Sequence, residues 1–149
     1  MTYKVKTTVS FEAAHRLYSV DTFSEECRDN VHGHSYKVTF VIGTMSLNSA
    51  GMVIDFKLLK KIIKQTIEDK FDHSCILKSN DPILPCLREN CKKVIVTEEN
   101  PTAEWMSEYF CKQLQKELSL ISNLKVLSCE VQETENNIAI YEPGGDTAC

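Results

Sequence analysis

Long apolar runs are missing from this chain; none approaches the ~18 residues that would suggest a membrane span. A surplus of positive charge is missing too. Lys and Arg total 17 against 21 Asp and Glu, a formal net charge of -4, which offers no general attraction for nucleic acid, and no basic stripe is visible. Lys60, Lys61 and Lys64 read as the wet side of a helix. The scattered lysines and arginines form no phosphate loop, and there is no repeat or low-complexity segment. The chain opens at once on a strand pattern, so no signal peptide is expected. Seven cysteines stand at irregular spacings. An odd count without a secretory signal reads as reduced thiols in a cytoplasmic protein. Cys86 and Cys91 have no second pair at finger-like spacing, which argues against a structural zinc there. Cys149 is the last residue, which excludes a prenylation box.

What is present is ordinary globular composition, 42% hydrophobic and 26% charged over 149 residues. That length predicts one domain, residues 1–149, with enough core to fold without disulfides. Val5, Thr7, Val9 and Phe11 alternate with polar neighbours and predict a half-buried strand over Tyr3–Phe11. Residues 18–31 read as a polar loop. His34, Tyr36, Val38, Phe40 and Ile42 mark one face of a second strand, reaching about Thr44. Asp55 is a credible N-cap for a helix carrying Phe56, Leu59, Ile62, Ile63 and Ile67, to about Lys70. Residues 72–101, with Pro82, Pro85 and Pro101, read as irregular apart from a short strand at Lys93–Thr97. Thr102 caps a second helix lined by Trp105, Met106, Tyr109, Phe110, Leu114 and Leu118. Leu124–Glu133 and Ile138–Glu142 read as a closing hairpin, and the tail from Pro143 as frayed. The expectation is an α+β fold in the order β-β-α-α-β-β. Its antiparallel sheet has two helices on one face and open edges suited to closing a barrel with other subunits.

Histidine is scarce: His15, His32, His34 and His73 are all there are. Residues two apart on a strand share a face, so His32 and His34 can offer nitrogens to one ion, and His15 completes the set if its strand pairs alongside. Three nitrogens with an open position are the ligand set of a catalytic zinc. A lone His-x-His is also an ordinary strand pattern. Cys27, five residues before His32, is either an idle thiol or a reactive one; Arg28 nearby favours thiolate, and Glu25 and Glu26 oppose it. Asp72-His73 is either a solvated helix end or, in a loop, an acid that fixes an imidazole tautomer for proton transfer. Glu133 is either a solvated strand-end acid or an anchor for a guanidine-like edge. Glu104 is placed to answer a helix dipole.

Taken in order, Phe11-Glu12-Ala13-Ala14-His15-Arg16, His32-Gly33-His34-Ser35-Tyr36, Val53-Ile54-Asp55-Phe56, Phe71-Asp72-His73, Asn100-Pro101-Thr102-Ala103-Glu104 and Glu133-Thr134 resemble the 6-pyruvoyl-tetrahydropterin synthase and 6-carboxy-tetrahydropterin synthase family. The resemblance runs from about residue 3 to 142. It implies the tunnelling fold (T-fold), assembled as a homo-oligomer, a trimer or a dimer of trimers, with active sites between subunits. It also implies Zn²⁺ on His15, His32 and His34, a pterin substrate (7,8-dihydroneopterin triphosphate), and no nucleic-acid or membrane partner. Cys27 would be the proton-abstracting thiol, with Asp72 and His73 as relay. Glu133 would hold the pterin edge, with Thr102 and Glu104 in the pterin-side segment.

One departure bears on the reaction. Long-loop pyruvoyl synthases place the cysteine one residue earlier, and many carboxy synthases one residue later. Glu26 occupies the earlier position, and some relatives use a glutamate there to cleave dihydroneopterin to a hydroxymethyl pterin. The short loop from His15 to His32 resembles carboxy synthases, whereas Glu133–Ile138 resembles pyruvoyl synthases. The expected activity is a zinc-dependent lyase forming 6-carboxy-tetrahydropterin for queuosine-type deazapurine synthesis. The alternatives are a pyruvoyl synthase, a Glu26-dependent cleaving enzyme, and a non-catalytic pterin-binding homologue.

Overall fold

The computed structural model describes residues 1–144. The glycine-rich tail read from Pro143 therefore lies, from residue 145 on, outside the described residues, as does Cys149. Six strands form one sheet in the order β4-β3-β1-β2-β5-β6. Strands β1 (Tyr3–His15) and β2 (His32–Thr44) pair antiparallel along their whole length, from Tyr3 opposite Thr44 to His15 opposite His32. Strand β5 (Lys125–Thr134) lies antiparallel to β2, and β6 (Asn137–Tyr141) antiparallel to β5.

Alternation decides which face is wet. Phe11, Ala13 and His15 of β1 and Tyr36, Val38, Phe40 and Ile42 of β2 are buried, whereas between them Glu12 and Lys37 are exposed and Ala14, Thr39 and Val41 half-buried. Each large apolar side chain so buried contributes on the order of 1.5–3 kcal/mol. The helices cover this face. The first is the composite of α2 (Phe56–Ile63), a π-helical turn (Lys64–Glu68) and α3 (Asp69–Phe71). Asp55 caps it, its carboxylate accepting from the Lys57 and Leu58 N–H groups at 2.7 and 3.2 Å. Leu59, Ile63, Ile67 and Phe71 are buried against the sheet, whereas Phe56 is exposed. The second is α5 (Ala103–Ser119), capped by Thr102 Oγ1 on the Trp105 N–H at 3.1 Å, with Met106, Phe110, Leu114 and Leu118 buried. The T-fold and its two covering helices are thus as expected.

The segment read as irregular is more ordered than its composition suggested. Residues 74–78 form β3 (Ser74–Lys78), parallel to β1 at Ala13–His15, and β4 (Val94–Thr97) is parallel to β3. The sheet is consequently mixed rather than wholly antiparallel. A short parallel strand covered on both sides carries no alternation to read. Between them α4 (Leu84–Asn90) starts with Pro85 in its first turn, where a missing N–H costs nothing. The polar loop before β2 holds a single helical turn, α1 (Glu25–Asp29). No helix among the described residues is long and apolar enough to cross a membrane.

Candidate active site

The antiparallel register of β1 and β2 sets the last residue of one opposite the first of the other, His15 against His32, and sets His34 opposite Ala13 on the same face. One ligand nitrogen from each of the three imidazoles lies within 4.8 Å of the other two. Their tautomers follow from their outer partners. His15 Nδ1 stands 2.7 Å from the Pro101 carbonyl, and His32 Nδ1 stands 3.0 Å from the Asn30 carbonyl. A carbonyl accepts only, so both Nδ1 atoms carry the proton and donate it. Both Nε2 lone pairs then face each other across 3.1 Å with no proton between them. His34 Nε2 is buried and without a hydrogen-bond partner. A cation shared by the three nitrogens resolves the repulsion and the orphan together, so the residues present fit a metal ion, with backbone carbonyls orienting two of the ligands.

The electrostatics agree. Burial pushes the His15 pKa down to about 4, against the rise due to the Pro101 hydrogen bond, and the neighbouring imidazoles lower it further. Burial also lowers that of His34, partly offset by Glu133. Neutral imidazole is the ligating form. Glu133, near the end of β5, puts its carboxylate 3.5 Å from His34 Nε2 and 4.0 Å from His15 Nε2. It also lines a cavity of about 380 Å³ with Glu104, at the start of α5, and with Asn136, Asn137 and Ile138 of the β5–β6 hairpin. Thr102 caps α5 through its own side chain, immediately after the Pro101 carbonyl that holds His15.

Asp72 and His73 form the dyad that was conditional on a loop. Asp72 ends α3 with extended backbone, and its Oδ2 meets His73 Nδ1 at 2.8 Å. Strand β1 clamps both residues: the Glu12 N–H donates to Asp72 Oδ1 at 2.9 Å, and the Glu12 carbonyl accepts from the His73 N–H at 2.7 Å. First the Glu12 N–H and then His73 hold the Asp72 carboxyl below its ordinary value. His73 has φ +58°, a left-handed conformation that costs a side-chain-bearing residue on the order of 1–3 kcal/mol. Its ring is exposed and lines a second cavity, also about 380 Å³, with Glu12, Ala14, Gly33, His34 and Ser35.

Cys27 and Glu26 lie on α1, where the Ser24 hydroxyl donates to either at 3.4 and 3.2 Å respectively. The Cys27 carbonyl accepts from the Leu17 N–H at 3.1 Å, tying the turn to the end of β1. Within one chain, no hydrogen bond among the described residues joins Cys27 to the dyad or to the histidine cluster. The structure therefore brings His15, His32, His34 and Glu133 together, places Glu104 in one cavity with Glu133, forms the dyad, and links Cys27 and Glu26 to neither group by a hydrogen bond. Sequence reasoning missed Tyr36. It is fully buried, its ring centroid 5.5 Å from that of His34, and its hydroxyl has no partner. Its place two residues after His34 on the same strand face was the available signal. The Pro101, Asn30 and Glu12 backbone groups carried no side-chain signal.

The fold and the site together define a T-fold protein with a cluster of three histidines that could hold a metal ion. The chain belongs to the 6-pyruvoyl tetrahydropterin synthase family, whose sequence pattern matches residues 4–144. It is similar to 6-carboxy-5,6,7,8-tetrahydropterin synthase of Rickettsia conorii, at 33% identity over 130 residues, 86% of this chain and 91% of that protein. It is also similar to 6-pyruvoyl tetrahydrobiopterin synthase of Homo sapiens, at 33% identity over 147 residues, 93% of this chain and 90% of that protein. A crystal structure of an uncharacterized protein from Wolinella succinogenes shares the fold with a TM-score of 0.80 at 23% identity, covering 95% of this chain and 98% of that one.

Proposed function

We propose that this chain is a zinc-dependent lyase converting 7,8-dihydroneopterin triphosphate to 6-carboxy-5,6,7,8-tetrahydropterin. The observation that carries the reading is the convergence of His15, His32 and His34 within 4.8 Å, with the Glu133 carboxylate beside them and Glu104 in the cavity that Glu133 lines. Three imidazoles favour zinc over metals that prefer carboxylate. Zinc bound there would polarise oxygens of the substrate side chain. Glu133 accepts two parallel N–H bonds from the amino-pyrimidine edge, with Glu104 lining the same cavity and Thr102 two residues before it in the pterin-side segment. Cys27 removes a proton from the carbon beside the polarised oxygens. Asp72 holds the His73 Nδ1 proton, leaving Nε2 to take or return the second proton. Loss of triphosphate and carbon–carbon cleavage, with one water supplying the second carboxylate oxygen and a two-carbon aldehyde released, complete the reaction.

A complete site takes its parts from more than one copy. His73 lines a cavity with Gly33, His34 and Ser35, and no hydrogen bond among the described residues of one chain joins it to Cys27. Strand β1 pairs with β3 only at Ala13–His15, which leaves its outer edge over 3–11 available to a neighbour, and β6 is the opposite edge. We read the assembly as a trimer or dimer of trimers.

The pyruvoyl synthase is the second reading, favoured by the human relative, which matches 93% of this chain. That route stops after triphosphate elimination and internal redox. Chromatography of the products formed by purified protein from 7,8-dihydroneopterin triphosphate decides between them. The carboxy product with a two-carbon aldehyde is expected. Pyruvoyl-tetrahydropterin as the only product establishes the second reading, and hydroxymethyl pterin transfers the base role to Glu26.

A further inference from the structure

The dyad depends on a residue outside every motif described above. Lys93 lies just before β4, at the start of the short strand expected over Lys93–Thr97. Its Nζ donates to the Asp69 carbonyl at 2.9 Å and to the Asp72 carbonyl at 2.7 Å. Its own carbonyl accepts from the Cys75 N–H at 3.1 Å. One side chain thus ties the start of α3 to the turn that carries Asp72 and His73, while its backbone ties the start of β3.

The turn needs such a tie. His73 holds a left-handed φ of +58°, and Asp72 and His73 must keep their 2.8 Å contact across adjacent residues. The Glu12 backbone fixes them from one side. Nothing from β1 reaches the Asp72 carbonyl; the Lys93 ammonium does.

We propose that Lys93 is a positioning residue for the proton relay. It holds the α3–β3 turn in the geometry that aims His73 and keeps Asp72 at its place in the dyad. This rests on the relay role given to Asp72 and His73 above. The charged groups around Asp72 are His73 beside it, Glu68, Asp69 and Lys64 on the preceding helical segment, Glu12 on β1, and Lys93 from across the turn. Lys64 is paired with Asp69, and the Glu12 carboxylate accepts from Ser35 at 2.7 Å. Lys93 is left as the cation bound to the turn itself, and its field contributes to the lowering of the Asp72 pKa after the Glu12 and His73 hydrogen bonds.

The test compares Lys93→Met, which keeps length and loses charge, with Lys93→Arg, which keeps both. In Lys93→Met we expect kcat to fall by about tenfold with KM within twofold, an acid limb of the kcat profile moved to higher pH, and unchanged zinc content. Lys93→Arg should restore most of kcat. The ¹³Cγ titration of Asp72 in the same variant, read by NMR, should move to higher pH whichever product the enzyme forms, so it separates failure of this inference from failure of the reaction assignment. An unmoved Asp72 titration, or equal losses in the Met and Arg variants, overturns the proposal. Should Lys93→Met not fold, Lys93→Gln, which keeps a donor without charge, takes its place in the same measurements.

Discussion

At the scale of single residues, the site is a set of orphaned groups. His34 Nε2 and the Tyr36 hydroxyl are buried without partners, and each such group costs on the order of 1–3 kcal/mol unless something completes it. The carbonyls of Pro101 and Asn30 commit two imidazoles to the tautomer whose Nε2 is free. Cys27 is not part of the three-histidine group, so Cys27→Ala should keep about one zinc per chain while turnover falls by ~10² or more. His32→Ala should lose the zinc. Metal analysis alongside steady-state rates checks both, and unchanged turnover in Cys27→Ala would move the base role to Glu26.

His15 also makes a pH prediction for metal-free protein. Its folded pKa, about 4, lies below the unfolded value of 6.5. Between those values the unfolded chain binds the extra proton, so folding stability falls as pH drops through that window and is unaffected above it. The full penalty, reached below the folded value, is on the order of 3 kcal/mol. Thermal melts of chelator-treated protein from pH 7 to pH 4 should show the loss, and His15→Gln should flatten it. A flat profile in the parent protein would mean that His15 is not buried as a neutral imidazole.

At the scale of elements, caps do double duty. Thr102 starts α5 through the Trp105 N–H, and the residue before it presents the carbonyl that orients His15. Thr102→Ala should cost ~1 kcal/mol of stability through the lost cap and weaken metal affinity through the loosened Pro101 carbonyl. Melting temperature and competition with a chelator measure the two effects separately. Affinity that holds while stability drops would uncouple the cap from the ligand. Both helix starts were legible because Asp55 and Thr102 satisfy their own N–H groups within two or three residues. Strand β3 was not, because its pairing with Ala13–His15 across the sheet, rather than any period of its own, makes it a strand. The dyad lay between: its residues were visible, but its bond awaited the extended Asp72 and left-handed His73 that only a turn supplies.

At the scale of the whole molecule, the sheet has unfinished edges. The outer side of β1 is bare over 3–11, and β6 exposes Ile138 and Ile140 at 50% and 60%. Open edges of this kind invite pairing. We expect sedimentation and light scattering to give a trimer or hexamer, with activity tracking assembly on dilution; a fully active monomer would refute that expectation.

The sequence by itself determined the half-buried strands, the capped helices and which histidines could share one ion. Those depend on alternation, helical spacing and side chains that bond their near neighbours, all of which act over a few residues. Tertiary structure decided the rest: the carbonyl 86 residues away that orients His15, the carboxylate of Glu133 brought to 3.5 Å from His34, and the lysine that ties down the dyad. Backbone carbonyls are common to every residue, and long-range contacts leave no local period. Such groups acquire a role only when the packed sheet and helices bring them within bonding distance.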